Sequence, residues 1–228
     1  MIQNDLIIAD IGFGEYQEVL ELQRQLNSAR NDGVIPDVLI AVSHPHVYTM
    51  GIHKNADEIL DPDLKVFQVE RGGSATYHGP GQIVIYFMIN LRDRSMNIRD
   101  LIIMIEGAVS RTLKHYGISS EGRLHGETGV WAGNRKICSV GLAINGFSTL
   151  HGIALNVNTD MARFQAIKPC GMTSDIMTSL ERETGHSQDE KAVKTILIKN
   201  LSDSLGVRKP LTLNSIEELR EILMGNGL

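Results

Sequence analysis

The sequence predicts an α+β fold, a mixed β-sheet packed with helices. Three observations carry that prediction. A strand, an amphipathic helix and a second strand come first; three strands then follow one another closely between residues 128 and 157; the remainder reads as helix. That order suits a mixed sheet with helices laid on it, not a regular alternation of strands and helices.

Residues 6–11 form the first strand. Residues 16–30 form an amphipathic helix, because Tyr16, Val19, Leu22 and Leu26 recur at helical spacing and Gly33 stands just past its end. Residues 38–42 are a short buried strand that runs into a loop, residues 44–51. Strands at 65–70 and 83–90 flank a long glycine-rich segment. A second helix covers 98–116, with Ile98, Leu101, Ile102, Ile105, Val109 and Leu113 on one face. Strands at 128–132, 136–144 and 148–157 follow, and Asn145-Gly146 between the last two signals a type I′ hairpin. Residues 161–167 read as a short helix entering the loop Lys168-Pro169-Cys170-Gly171. A turn near 178–183 and helices at 188–205 and 215–224 complete the chain. Asn214 is the expected cap of the last helix, with Glu217 closing a capping box. One domain over 1–228 is expected, with a helical tail from about 188 whose best boundary is near 203–211.

Composition narrows the function. The chain has 228 residues, 42% hydrophobic and 21% charged, with net charge -5 and no basic face. A nucleic-acid partner is therefore not expected. The longest apolar run, 83–89, is too short to span a bilayer, so no membrane role is expected. The opening residues lack the positive region of a signal peptide. Two cysteines, Cys138 and Cys170, make no disulfide framework and suit a reducing, cytoplasmic setting.

Chemistry concentrates in Arg71-Gly72-Gly73-Ser74-Ala75-Thr76-Tyr77-His78-Gly79-Pro80-Gly81-Gln82. The thirteen residues from Glu70 to Gln82 far exceed the needs of a hairpin turn. Glycines there let the backbone approach a ligand closely, and long structured loops tend to be functional. Backbone N–H groups in such a loop can cradle a phosphate or a carboxylate. Gly12-Phe13-Gly14 lacks the third glycine and the acidic residue of a dinucleotide site, and no Walker A loop is present.

Cys170 sits on a Pro-Cys-Gly loop. It reads either as a partly exposed nucleophile or as a small residue tucked under a turn. Cys138, in an apolar strand, reads first as an inert buried thiol. Strand alternation nevertheless places Lys136 on its face, where a lysine would depress its pKa. Lys136 itself is expected to be a solvated edge charge; its functional reading is a base or charge partner for a thiol. His44 and His46 read as loop residues, without a third ligand at metal-site spacing, and no metal is expected. His78 and His151, each next to a glycine, either bind substrate or hold loops.

The pattern Arg-Gly-Gly-x-x-Thr-Tyr-His-x-x-Gly-Gln-x-x-x-Tyr from Arg71 to Tyr86 resembles the signature of the lipoyl(octanoyl) transferases. Three further segments agree, in family order. They are His44-Pro45-x-Val47-Tyr48-Thr49-x-Gly51, Gly129-Val130-Trp131 with Lys136-Ile137-x-Ser139-x-Gly141, and His151-Gly152-x-Ala154-Leu155-Asn156-Val157-Asn158 followed by Ile167-x-Pro169-Cys170-Gly171. Together they cover residues 40 to 172. Ser74 and Ala75 occupy variable positions of the signature and bear on the acyl pocket's shape.

The resemblance implies a fold like the biotin and lipoate protein ligase catalytic domain, with no ATP or other cofactor. It implies transfer of an octanoyl group from acyl carrier protein to a lysine of lipoyl domains or of the glycine cleavage H protein. By position, Cys170 would be the nucleophile and Lys136 its partner. Arg71, Gly72, Gly73, Ser74, Ala75, Thr76, Tyr77 and His78, with Ser139, Val140, Gly141, Gly152, Ile153 and Ala154, would hold the acyl group. The competing expectations are an ATP-dependent ligase on the same fold and a non-catalytic binding module for acyl carrier protein or lipoyl domains.

Overall fold

The computed structural model describes residues 6–53, 55–124 and 128–225; the side chains of Ala56 and Cys170 lie outside what is described. Its frame is an eight-stranded mixed sheet. In chain order the strands are β1 (Leu6–Phe13), β2 (Asp37–Ser43), β3 (Val47–Met50), β4 (Val66–Gln68), β5 (Ala75–His78), β6 (Gln82–Met88), β7 (Glu121–Arg123), β8 (Gly129–Ala132), β9 (Arg135–Asn145), β10 (Ser148–Asn156) and β11 (Leu211–Leu213). The large sheet has the order β11-β1-β2-β6-β10-β9-β8-β7. Its first three strands are parallel, and each later pairing is antiparallel. A second sheet, β4-β3-β5, stands beside it.

Helices cover both faces. On one lie α1 (Tyr16–Asn31) and α5 (Ile216–Leu223), whose Val19, Leu22, Leu26, Leu219 and Ile222 pack on Ile7, Val38, Ile40 and Val84. On the other lie α2 (Ile98–His115) and α4 (Glu190–Ser204). Their Leu101, Ile105, Val109, Val193 and Leu197 meet Leu39, Ile85, Ile153 and Leu155. Each such side chain contributes about 1.5–3 kcal/mol by burial. The N-terminus of α2 is fixed by a capping box. Asn97 accepts from the Arg99 and Asp100 N–H groups, and Asp100 accepts from the Asn97 N–H. The fifth helix, α3 (Leu180–Thr184), is a short turn after the segment that carries Cys170.

Four expectations need correction. The segment 44–51 is not all loop, since β3 lies within it, and the glycine-rich segment contains β5. Val47 to Met50 pair with Ala75 to His78, so two apparent loops stabilise each other as strands. The hairpin turn between β9 and β10 is Gly146-Phe147, because Asn145 still pairs with Ser148. Of the two turn residues only Gly146 has positive φ (66°), the pattern of a type II′ turn. The cap of α5 is Ser215, not Asn214; Ser215 accepts from the Glu218 N–H, and Glu218 returns to the Asn214 N–H. The region after residue 188 holds β11, which pairs in parallel with β1 and so ties the tail into the main sheet.

Candidate active site

The glycine-rich segment is wound around one buried guanidinium. Arg71 donates to the Thr49 carbonyl (3.0 Å), Thr49 Oγ1 (2.8 Å), the Ser74 carbonyl (2.7 Å) and the Gly72 carbonyl (3.0 Å). The Gly51 and His53 N–H groups bind the Ser74 and Gly73 carbonyls in turn. Gly73 has φ +82°, a conformation that favours glycine. Glu58, buried, accepts from the Ala75 N–H (3.0 Å). These bonds hold the segment's backbone against the open end of the main sheet.

A chain of hydrogen bonds fixes the next layer. Gln82 Nε2 donates to the Tyr77 carbonyl and to Asn156 Oδ1, so its Oε1 is the acceptor facing His78 Nδ1 (2.8 Å). His78 therefore carries its proton on Nδ1 and presents Nε2 as a lone pair. Burial pushes its pKa down to about 3, which keeps the ring neutral. His44 is fixed likewise. Its Nδ1 donates to the Gly14 carbonyl (2.7 Å) and its Nε2 accepts from the Tyr86 hydroxyl (2.8 Å). Burial pushes His44 down to about 4. His44 is thus a fully buried anchor, more than a loop residue. Among the described residues no group of three metal-ligating side chains gathers.

His151 has positive φ (61°), unusual for a residue with a side chain. The Gln23 side chain accepts from its N–H (3.0 Å), and its Nε2 lies 3.5 Å from Glu70 Oε2. His151 and Arg24 together hold the Glu70 carboxyl well below the usual carboxylate range, against the opposing effect of partial burial.

Lys136 is 2% exposed, so it is not a solvated edge charge. A β-bulge explains its placement. Val130 opposes Cys138 and Trp131 opposes Lys136, leaving Ile137 as the extra residue. Adjacent residues of β8 face opposite sides, so the bulge puts Lys136 and Cys138 on opposite faces and overturns the simple alternation. The Lys136 Nζ lies 5.3 Å from the centre of the Trp131 ring. Its carbonyl accepts from the Thr178 N–H, which draws the strand past Cys170 back to β9. Cys138 points into the apolar core, and burial pushes its thiol up despite the nearby lysine.

These elements enclose a cavity of about 280 Å³. Of the residues predicted from sequence, Arg71, Gly72, Gly73, Ser74, Ala75, Thr76, His78, Lys136, Ser139, Val140, Gly141, Gly152, Ile153 and Ala154 all line it. Tyr77 does not. Strand alternation turns it to the other side of β5, where it packs on Phe164 and bonds His46. Cys170 lies in the 3₁₀ turn Pro169–Gly171, and its neighbour Pro169 lines the cavity. The Cys170 thiol is outside the described side chains.

Sequence reasoning did not assign Tyr16, His53, Val84, Tyr86, Ile102, Thr128 and Leu142 to the site, yet they too line the cavity, as does His151. Tyr16 and Ile102 were legible only as apolar helix positions; both sit where a helix meets the sheet. The size is at the small end for ligand pockets, and the walls mix apolar side chains with a few polar groups.

The chain matches the family model described as the lipoyl protein ligase A/B catalytic domain over residues 15–202. A probable octanoyltransferase 2 of Picrophilus torridus is 45% identical over 94% of this chain and 84% of its own. An octanoyltransferase of Vibrio vulnificus is 39% identical over 96% of this chain and all of its own. Among solved structures, a lipoate-protein ligase A bound with ATP has a TM-score of 0.74 at 17% identity, covering 98% of this chain and 94% of that one. Biotin protein ligase from Aquifex aeolicus has a TM-score of 0.52 at 17% identity, covering 88% and 69%. The two structural likenesses speak for the fold, a mixed sheet packed with helices.

Proposed function

Because this chain belongs to the octanoyltransferases of the lipoyl protein ligase A/B family, we propose that it carries an octanoyl group from acyl carrier protein to a specific lysine of lipoyl domains, through a thioester on Cys170. The glycine cleavage H protein is a second acceptor. The reaction opens protein lipoylation in the cytoplasm and uses no cofactor.

The observation that carries this reading is the cavity shared by Lys136, residues of the three predicted acyl-holding segments and the Pro169 that precedes Cys170. The donor is already a thioester, so no separate activation of the acid is required. The Cys170 thiolate attacks the thioester carbonyl; the bond to the carrier's sulfur breaks, and that sulfur leaves with a proton as the carrier thiol. The acceptor lysine's neutral amine then attacks the acyl-enzyme. The amide bond forms, the Cys170–acyl bond breaks, and the amine proton is removed. An unperturbed lysine has a pKa of about 10.4, so the acceptor needs a base. Lys136, buried and close to the turn that holds Cys170, takes that role when neutral. When protonated it lowers the thiol's pKa. His78 stays neutral throughout and serves as a hydrogen-bond acceptor in the wall.

Intact-mass measurement after mixing the protein with octanoyl-acyl carrier protein, without ATP, tests the reading. Wild type and Cys138→Ser should gain one octanoyl group and lose it to apo lipoyl domain; Cys170→Ser should gain none. Octanoate incorporation that requires ATP and survives Cys170→Ser would instead make the protein a ligase. Binding of either partner with no acyl movement would leave a non-catalytic module.

A further inference from the structure

The cavity does not end in solid core. Its β9 wall takes in Lys136, Ser139 and Gly141 on one face of the strand and, beyond the end of β8, Val140 and Leu142 on the other, with Ile102 of α2. Leu142 also lines a second, open groove on the outer surface, together with Ile98, Ile144 and Leu150. Gly72 belongs to both hollows as well, and its N–H donates to the Leu142 carbonyl (3.0 Å). One side chain and one backbone contact therefore partition the cavity from the groove. Helix α2 continues the same apolar track across the partition. Ile102 faces the cavity, and Ile98, one turn earlier, faces the groove.

We propose that Leu142 is the residue that limits acyl-chain length, its side chain standing where the end of the chain arrives. The assignment rests on the octanoyl-transfer reading above. Reaction occurs at the Lys136 and Pro169 end of the cavity. An octanoyl chain held there extends along the β9 wall toward Leu142. Further methylenes meet Leu142, which is 9% exposed and packed in the core cluster under α2. Beyond it lies apolar surface suited to methylenes, including Ile144, which is 48% exposed. Trimming Leu142 joins the two hollows, and longer acyl groups then run on between Ile98 and Ile144.

The test is the chain-length profile of kcat/KM, from hexanoyl to tetradecanoyl thioesters of acyl carrier protein with apo lipoyl domain as acceptor. A newly buried methylene is worth about fourfold in affinity. Leu142→Ala should raise dodecanoyl transfer relative to octanoyl by about tenfold or more. Leu142→Phe should shift preference the other way, toward hexanoyl. Ile144→Ser should leave the wild-type profile unchanged and remove most of the gain when combined with Leu142→Ala. Should Leu142→Ala not fold, Leu142→Phe decides. Wild-type octanoyl transfer with profiles unchanged in the folded Leu142 variants overturns the assignment. Absence of ATP-independent octanoyl transfer in wild type overturns the parent reading instead.

Discussion

Glu106 shows what burial does to a single carboxyl here. It is 4% exposed on the inner face of α2, accepts from the Gly129 N–H (3.0 Å) and feels the charge of Lys136. Desolvation outweighs both and pushes it from 4.5 up to about 7. A carboxyl raised in the folded state contributes stability that is complete below its unfolded pKa and lost as pH rises through 7. Glu106→Gln keeps an acceptor for the Gly129 N–H without the charge. It should be more stable than wild type at pH 8 by about 1–3 kcal/mol, the order its shift implies. The gain should close by pH 5. Urea unfolding of both proteins at the two pH values tests this, and an equal gain at both would sink it. Nothing in the run Ile105-Glu106-Gly107 distinguishes this acid from a solvated one, because its partners come from β8 and β9. Lys136 was hidden for the same reason. Its residue type suggested a surface charge, and a bulge, which alternation cannot register, moves it from the face of Cys138 to the cavity side of the sheet.

At the scale of elements, the β9–β10 hairpin and β6 build the cavity's floor. Gly152 pairs with both Tyr86 and Gly141, and a Cβ placed there would lie 1.9 Å from the Ile85 carbonyl oxygen. No rotamer relieves an overlap with backbone. Gly152→Ala should therefore lower the urea midpoint by the equivalent of about 1–3 kcal/mol; a midpoint equal to wild type would show that β10 shifts freely. The three strands of this floor were legible to within a residue or two, since their apolar runs are long. The short strands were not. β7 and β11 have three residues each, too few to show a period, and they exist because a neighbour offers an edge. β3 and β5 were masked by the histidines, prolines and glycines around them, although Ala75, Thr76 and His78 of β5 were named from sequence and line the cavity.

The whole molecule is closed by its last elements. β11 covers the edge of β1 through Ile7, Ile8 and Ala9, and α5 adds Leu219 and Ile222 to the core under α1. Ending the chain after Val207 should remove at least about 3 kcal/mol from those two side chains alone. Hydrogen exchange in β1 should accelerate. Unaltered urea unfolding and β1 protection would mark the tail as an independent appendage, as the sequence boundary near 203–211 allowed. The mixed sheet with helices on both faces was legible from element order. The closing contact was not, because it joins segments about two hundred residues apart. That separation also has a consequence in time. During synthesis β1 emerges about two hundred residues ahead of β11, the strand that covers its edge. A nascent chain thus carries an open, apolar strand edge for most of its translation, the kind of surface that recruits chaperones or pairs with a neighbouring chain. Slowing the ribosome between the codons for β1 and those for β11 should lower soluble yield far more than slowing it before β1 is made.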